Sequence, residues 1–257
     1  MSGYEAQNKP GHVMKLIVLD CDGILSKGEG AAFDLRLFAR LRALNRRARG
    51  GEAVPAVTLN TGRPSPYVEA VLQAIDGRQP ALYESGAGLY FPQTYRFETN
   101  RALSGEQKRD LQALLELVDQ AVVTNGRAYW QPGKSVCHTL FACKPYSIAD
   151  IEAEVQTIAA AFAGKFIVTR AKQALNLHPA GIDKGTGLTW LAQVTGIALP
   201  EMGGAGDTSS DIDFLRWVGR SAAPANATAD VKAAVDFVST ADDAAGLHDI
   251  LDHWSMP

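Results

Sequence analysis

Residues 16–25 read LIVLDCDGIL, a short, unbroken, β-branched apolar run that ends in two carboxylates, Asp20 and Asp22. A run that short and continuous reads as a strand buried on both faces, the habit of strands in parallel sheets. A parallel sheet needs crossover connections, and helices must cover its faces. Both are present here. Phe33, Leu35, Leu37, Phe38, Leu41 and Leu44 recur at helical spacing before Gly50 and Gly51 stop the helix. A second run, AVPAVTL at 53–59, leads into Asn60-Thr61-Gly62-Arg63-Pro64. A helix from about Pro66 carries Val68, Val71, Leu72 and Ile75 on one face, and ALY at 81–83 reads as a third strand. Strand, helix, strand, helix, strand predicts parallel βαβ units.

The rhythm then changes. GLYFPQTYRFET at 88–99 alternates and is aromatic. Ser104 to about Val122 is an amphipathic helix, with Ser104 and Gln107 at capping-box spacing. Two strands around a Pro-Gly turn follow at 127–145, then a helix from Ser147 to about Phe162 and two strands across 165–179. Helix-strand-strand therefore occurs twice. Beyond Gly181 the βα rhythm returns, with a helix from Lys184 to about Val194, a weak strand near 201–205 and a helix near 211–217. The expected division is an N-terminal tail at 1–13, a core from 14–84 and 180–257, and an inserted unit at 85–179.

In open parallel sheets, ligands sit at the carboxyl ends of the strands. The polar residues that follow the apolar runs are Asp20 and Asp22, then Thr61 and Gly62, and later Asp207 and Asp211 in GAGDTSSDI; Lys184 opens a helix. Carboxylates are hard oxygen ligands of the kind Mg²⁺ prefers. A hydroxyl, backbone N–H groups and an ammonium are the donors a phosphoryl group needs. One acid can then act as a covalent nucleophile, and another two residues on can shuttle protons. With 257 residues and a formal net charge of −3, the chain has no global basic field for nucleic acid. No apolar run approaches the roughly 20 residues of a membrane span. Three cysteines, Cys21, Cys137 and Cys143, show no metal-ligand spacing. Together these features lead us to expect a cytoplasmic protein with a small-molecule partner, neither nucleic acid nor membrane. Oligomeric state is not legible.

These pieces resemble the haloacid dehalogenase superfamily of phosphatases. LIVLDCDGIL is similar to its first motif, LNTGR to the second, the lysine of GIDKG to the third and GAGDTSSDI to the fourth, in the family's order. The insertion lies between the second and third. It resembles the α/β cap of subfamily IIB, which includes sucrose-phosphate, mannosyl-3-phosphoglycerate and phosphoglycolate phosphatases and phosphomannomutases. The resemblance implies an α/β fold, a Rossmann-like parallel sheet core with a smaller inserted α+β cap. It implies a Mg²⁺-dependent phosphomonoesterase of a sugar phosphate or phosphorylated organic acid. Asp20 would become an aspartyl-phosphate. Asp22 would be the general acid/base, with its backbone carbonyl on Mg²⁺. Thr61, Gly62 and Lys184 would hold the phosphoryl group, and Asp207 and Asp211 would join Asp20 and Asp22 at the metal. Asn60, Arg63, Ser210 and Arg170 would support the site or meet substrate. In the family, threonine usually follows the first-motif glycine, where this chain has Ile24, and asparagine often occupies the position of Ser210.

A phosphomutase could run on the same aspartyl-phosphate chemistry. A phospho-accepting receiver domain also combines acids, a Thr and a Lys, but is about half this length and has no place for the insertion. Lys134, Lys144, Arg170 and Lys172 are cations of the insertion that could meet a second anionic group. Its aromatics Tyr129, Trp130 and Phe141 are expected to pack on the insertion's helices.

Overall fold

The computed structural model describes residues 13–28, 30–171 and 174–256. The expected tail at 1–13 therefore lies almost wholly outside the described residues, as does Lys172. In chain order the first elements are β1 (Leu16–Leu19), α1 (Leu35–Arg49), β2 (Ala56–Leu59), α2 (Ser65–Ala74) and β3 (Ala81–Tyr83). Next come β4 (Gly88–Phe91), β5 (Arg96–Thr99), α3 (Gly105–Val118), β6 (Ala128–Trp130), β7 (His138–Ala142), α4 (Ala149–Ala160), β8 (Phe166–Arg170) and β9 (Ala174–Pro179). The last are α5 (Lys184–Thr195), β10 (Met202–Ala205), α6 (Ile212–Leu215), β11 (Arg220–Ala223), α7 (Ala229–Ala234), β12 (Phe237–Val238) and α8 (Asp243–His253). No helix among the described residues is long and apolar enough to cross a membrane. The chain forms two compact units. One comprises residues 1–58, 73–79 and 192–257, the other 59–72 and 80–191.

The first unit is built on a sheet of order β12-β11-β10-β1-β2. β1 pairs parallel with β10, β10 with β11 and β11 with β12. All four residues of β1 are fully buried, as the continuous apolar run requires. In α1, Leu37, Phe38, Leu41 and Leu44 form the buried face, whereas Leu35 is exposed. Asp34 caps the helix by accepting from the amides of Arg36 and Leu37 at 2.8 and 3.3 Å, and Arg46, Arg47 and Arg49 lie at its negative end. Buried Asn45 on α1 accepts from the Val57 amide at 2.8 Å and donates to the Ile75 carbonyl at 3.0 Å.

The central strand β10, MGGA, is the strand its composition least favours. Its glycines are required by packing. A Cβ on Gly203 would lie 2.7 Å from the Met14 sulfur, and one on Gly204 would lie 2.9 Å from the Phe214 ring and 3.2 Å from Val218. Large neighbours fill the space that larger strand residues would otherwise take.

In the second unit, β3 keeps the expected parallel relation to the chain leaving β2 through a bridge between Asn60 and Leu82, and it also pairs antiparallel with β4 in a β3-β4-β5 sheet. The hairpin β4–β5 carries the alternating aromatics, with Tyr90 and Phe97 stacked at 4.6 Å. The twofold helix-strand-strand pattern builds an antiparallel sheet of order β6-β7-β9-β8. Leu111, Leu114 and Val118 of α3, with Ile151 and Val155 of α4, pack on Leu140, Leu175 and Leu177 of that sheet. Ser104 and Gln107 form the expected capping box, each bonding the other's backbone at 3.1 Å.

Strand alternation corrects the reading of two aromatics. Trp130 is directed to the helices, with its indole N–H on Asp119 at 2.5 Å. Tyr129 and Phe141 are one residue out of phase with Trp130 and Leu140, so they occupy the opposite face, stacked on each other at 5.4 Å, and Tyr129 is half exposed.

Candidate active site

In the first unit, Asp20 is the residue directly after β1, and its amide donates to the Ala205 carbonyl at 3.0 Å. The chain then turns tightly. The Cys21 carbonyl accepts from Leu25 at 2.8 Å and Ser26 at 3.2 Å, and Gly23 sits at φ +75°. Cys21 is fully buried, in keeping with a packing role, and Asp22 is partly exposed. Ile24 and Leu25 are fully buried in this turn, so the side chain at the unusual position is core material. Ile24→Thr should cost about 1–3 kcal/mol, because it removes apolar volume and buries a hydroxyl. Thermal unfolding should register that loss, with turnover of the folded protein changed only a few-fold; an unchanged melting temperature would contradict the packing assigned here.

Asp207 follows β10, and Asp211 lies four residues on, fully buried. One Asp211 carboxylate oxygen accepts from the amides of Asp207 and Thr208 at 3.0 and 2.9 Å and from the Thr208 hydroxyl at 3.1 Å. It therefore organises the loop that presents Asp207. Ser210 is exposed, with its hydroxyl 3.0 Å from that of Thr208. Asp20, Asp207 and Asp211 each offer a carboxylate oxygen, all within 4.8 Å of one another. The Asp22 carboxylate is not one of the three. Gly23 makes room for this group, since a Cβ there would lie 2.1 Å from one Asp207 oxygen. Three hard oxygen donors, converging where a methyl group would intrude, suit a small divalent cation such as Mg²⁺. Asn226 was not singled out from the sequence. Its side-chain Nδ2 donates to the Gly23 carbonyl at 3.1 Å and to the Asp207 carboxylate at 3.5 Å. The signal was there: it closes RSAAPAN, a polar residue just after a buried strand.

In the second unit, Thr61 is fully buried beyond β2. Its amide donates to the Leu82 carbonyl at 3.2 Å, its carbonyl accepts from Ser85 at 2.9 Å and its hydroxyl accepts from the Arg63 amide at 3.2 Å. The Asn60 side-chain Nδ2 donates to the Lys184 carbonyl at 2.9 Å, tying this turn to the first residue of α5. Lys184 is buried, and Asp183 and Thr186 cap the helix start reciprocally at 2.7 and 3.0 Å. Thr61, Gly62, Asn60 and Lys184 are thus one assembly. The Arg63 guanidinium lies over the Tyr67 ring at 4.8 Å.

Arg170 donates to Glu152 of α4 at 2.8 Å and is turned to the helices, and Lys144 is exposed. Lys134 donates to the Gly62 carbonyl at 2.6 Å. Sequence reasoning passed over Glu84, a fully buried carboxylate just after β3. Its surroundings are dry. Burial, with a contribution from Glu84, pushes the Tyr83 hydroxyl up to about 12 and also raises the Cys137 thiol. Burial likewise lowers His138 below its ordinary value, which keeps the imidazole neutral.

Residues 130–251 match the sequence signature of the haloacid dehalogenase-like hydrolases. The chain is 26% identical to a phosphoglycolate phosphatase of Halorubrum lacusprofundi over 222 residues, 86% of this chain and 89% of that protein. It is 27% identical to a phosphoglycolate phosphatase of Pyrobaculum aerophilum over 227 residues, 87% of this chain and 88% of that one. A solved haloacid dehalogenase-like hydrolase from Bacteroides thetaiotaomicron superposes with a TM-score of 0.76 at 17% identity, covering 94% of this chain and 99% of that chain. A solved sugar phosphatase of the superfamily's subclass IIB superposes with a TM-score of 0.69 at 19% identity, covering 95% of this chain and all of that one.

Proposed function

We propose that this chain, a haloacid dehalogenase-like phosphatase of small phosphorylated substrates, is a Mg²⁺-dependent phosphomonoesterase that works through an aspartyl-phosphate, with a phosphorylated organic acid as its preferred substrate. The observation that carries this reading is the convergence of Asp20, Asp207 and Asp211 within 4.8 Å at the ends of β1 and β10. Three carboxylates that close repel one another unless a cation lies among them.

Asp20, the Asp22 carbonyl, Asp207 and Asp211 would hold the metal. Bound there, it supplies charge neutralisation for the acids and for the phosphoryl oxygens. An Asp20 oxygen attacks phosphorus, and the bond from phosphorus to the ester oxygen breaks. The departing alkoxide takes the proton held by Asp22 and leaves as the alcohol. Water then attacks the aspartyl-phosphate, its proton passes to Asp22, and inorganic phosphate departs with the Asp20 carboxylate restored. Thr61, Gly62 and Lys184 donate to the phosphoryl oxygens as negative charge redistributes, with Lys184 supplying the positive charge. Arg63 and Asn60 keep the turn and α5 in place.

The acid preference is carried over from the two phosphoglycolate phosphatases similar to this chain over most of its length. Dialysis against a chelator should abolish p-nitrophenyl phosphate hydrolysis, and added Mg²⁺ should restore it. The same addition should raise the melting temperature, because a ligand of the native state stabilises that state. Undiminished turnover in the chelator would refute the metal dependence.

A further inference from the structure

Just past β3 the chain turns a strained corner. Glu84, Ser85 and Gly86 have φ of 48°, 54° and 89°. Left-handed backbone suits glycine, but Glu84 and Ser85 each carry a Cβ that crowds the following carbonyl. Such strain persists only where the surroundings over-determine it. At Glu84 the compensation is visible. Its side chain is fully buried and its carboxylate accepts four hydrogen bonds from one stretch between β6 and β7. One oxygen accepts from the Ser135 amide and hydroxyl, both at 3.0 Å, and the other from the amides of Val136 and Cys137 at 2.7 and 2.9 Å. Ser85 has no comparable compensation. Its amide donates to the Thr61 carbonyl at 2.9 Å, beside the bond from the Glu84 amide to the Arg63 carbonyl at 3.0 Å. Its hydroxyl has no hydrogen-bond partner among the described residues, although the residue is partly buried. A Cβ on Gly62 would lie 3.4 Å from the Ser85 Oγ, so the hydroxyl rests against Gly62. On the other side, a Cβ on Gly86 would collide with the Asp183 carbonyl and lie 3.0 Å from the Gly187 Cα. The corner is therefore pressed onto the first turn of α5, which Lys184 opens. Ser85 stands between the Thr61–Gly62 turn and the helix of Lys184.

We propose that Ser85 is a further binding residue for the transferring phosphoryl group, its hydroxyl donating to a phosphoryl oxygen beside the donors of Thr61, Gly62 and Lys184. This rests on the phosphatase reading above, which makes those three residues the phosphoryl cradle. The non-bridging oxygens of that group carry its charge and take several donors at once. A serine O–H rotates toward whichever acceptor arrives. Its Cα does not move, because Glu84 on one side and Gly86 on the other are held by their own contacts. The donor is thus in place before substrate binds, and a preplaced donor needs no reorganisation in the transition state. The strain at Ser85 is then offset by a bond made only when a phosphoryl group is present.

Two variants separate the hydroxyl from the backbone. S85A keeps the Cβ and loses the oxygen, whereas S85G also releases the strain. Both should lower kcat/KM by about 10- to 100-fold, the size expected for a lost hydrogen bond to a charged group. Stability should follow a different order: S85G should melt about 2–4 °C above the parent, and S85A within about 2 °C of it. A serine needed only for structure cannot lose activity while the protein gains stability. The loss should agree within roughly threefold between p-nitrophenyl phosphate and 2-phosphoglycolate, which share the phosphoryl group, and inhibition by inorganic phosphate should weaken by about tenfold. Parent-like kcat/KM in S85G, a loss confined to one substrate, or unaltered inhibition by phosphate would overturn the proposal while leaving the phosphatase reading intact. So would S85G losing activity and stability together, or both variants failing to fold, since either result makes the serine structural. A parent that hydrolyses neither compound would instead overturn the phosphatase reading itself, and this proposal with it.

Discussion

Asp20→Asn should reduce hydrolysis of p-nitrophenyl phosphate by roughly 10⁴-fold or more, the scale seen when a covalent nucleophile is removed. The carboxamide is nearly isosteric but is a far weaker nucleophile. The fold has little reason to suffer. Asp20 lies in a cluster of three acids, so losing one charge relieves repulsion when no cation is bound. In chelator the variant should melt at or above the parent temperature, and the stabilisation the parent gains from Mg²⁺ should be largely lost. Turnover within tenfold of the parent would remove Asp20 from the chemistry. A melting temperature far below the parent would mean that the acid is structural.

Gly23→Ala should raise the Mg²⁺ concentration for half-maximal activity by at least roughly 30-fold, the equivalent of about 2 kcal/mol of lost metal affinity. The new methyl carbon would lie 2.1 Å from an Asp207 oxygen and 2.4 Å from its carboxyl carbon, so the carboxylate must swing away. Part of any effect is backbone strain, because Gly23 sits at φ +75°. Gly30 isolates that part, having the same φ of +75° and no atom within 4 Å of its would-be Cβ. Gly30→Ala should therefore carry the conformational cost, about 1 kcal/mol, without the change in metal requirement. Metal titrations of the two variants side by side decide the matter. Equal shifts would show that Gly23 matters for its dihedral angle and not as a cradle for Asp207.

The parts of this molecule governed by local chemistry were legible in the sequence. β1 is as buried as its apolar run implied, α1 ends at its glycines, and Ser104 with Gln107 forms the capping box their spacing announced. Asp20, Asp207 and Asp211 were singled out because each is a polar residue just past a buried strand, and they do converge. Features set by distant partners were not legible. The glycines of β10 look wrong for a strand until Met14, Trp254 and Phe214 are seen against them, since strand preference is largely a measure of packing. The burial of Ile24 depends on how its turn folds inward. Tyr129 and Phe141 were placed on the wrong face because they were considered as aromatics and not by their alternation with Trp130 and Leu140. Glu84 is the most instructive omission. It follows ALY just as Asp20 follows LIVL, and the same rule would have flagged it, yet its donors lie some fifty residues further along.

The interleaving of the two compact units bears on the order in which this protein can be made. Four-fifths of the chain must leave the ribosome before β10 exists, yet β10 separates β1 from β11 in the finished sheet. Until then β1, with four apolar residues, has one lateral neighbour missing and an unsatisfied edge of N–H and C=O groups. The antiparallel sheet of residues 128–179 is contiguous in the chain and can close on its own helices while synthesis continues. The acids of β1 and β10 come from opposite ends of that timetable. The acidic cluster is therefore among the last features to form, and a chain halted near residue 200 would have two of its three carboxylates still to come.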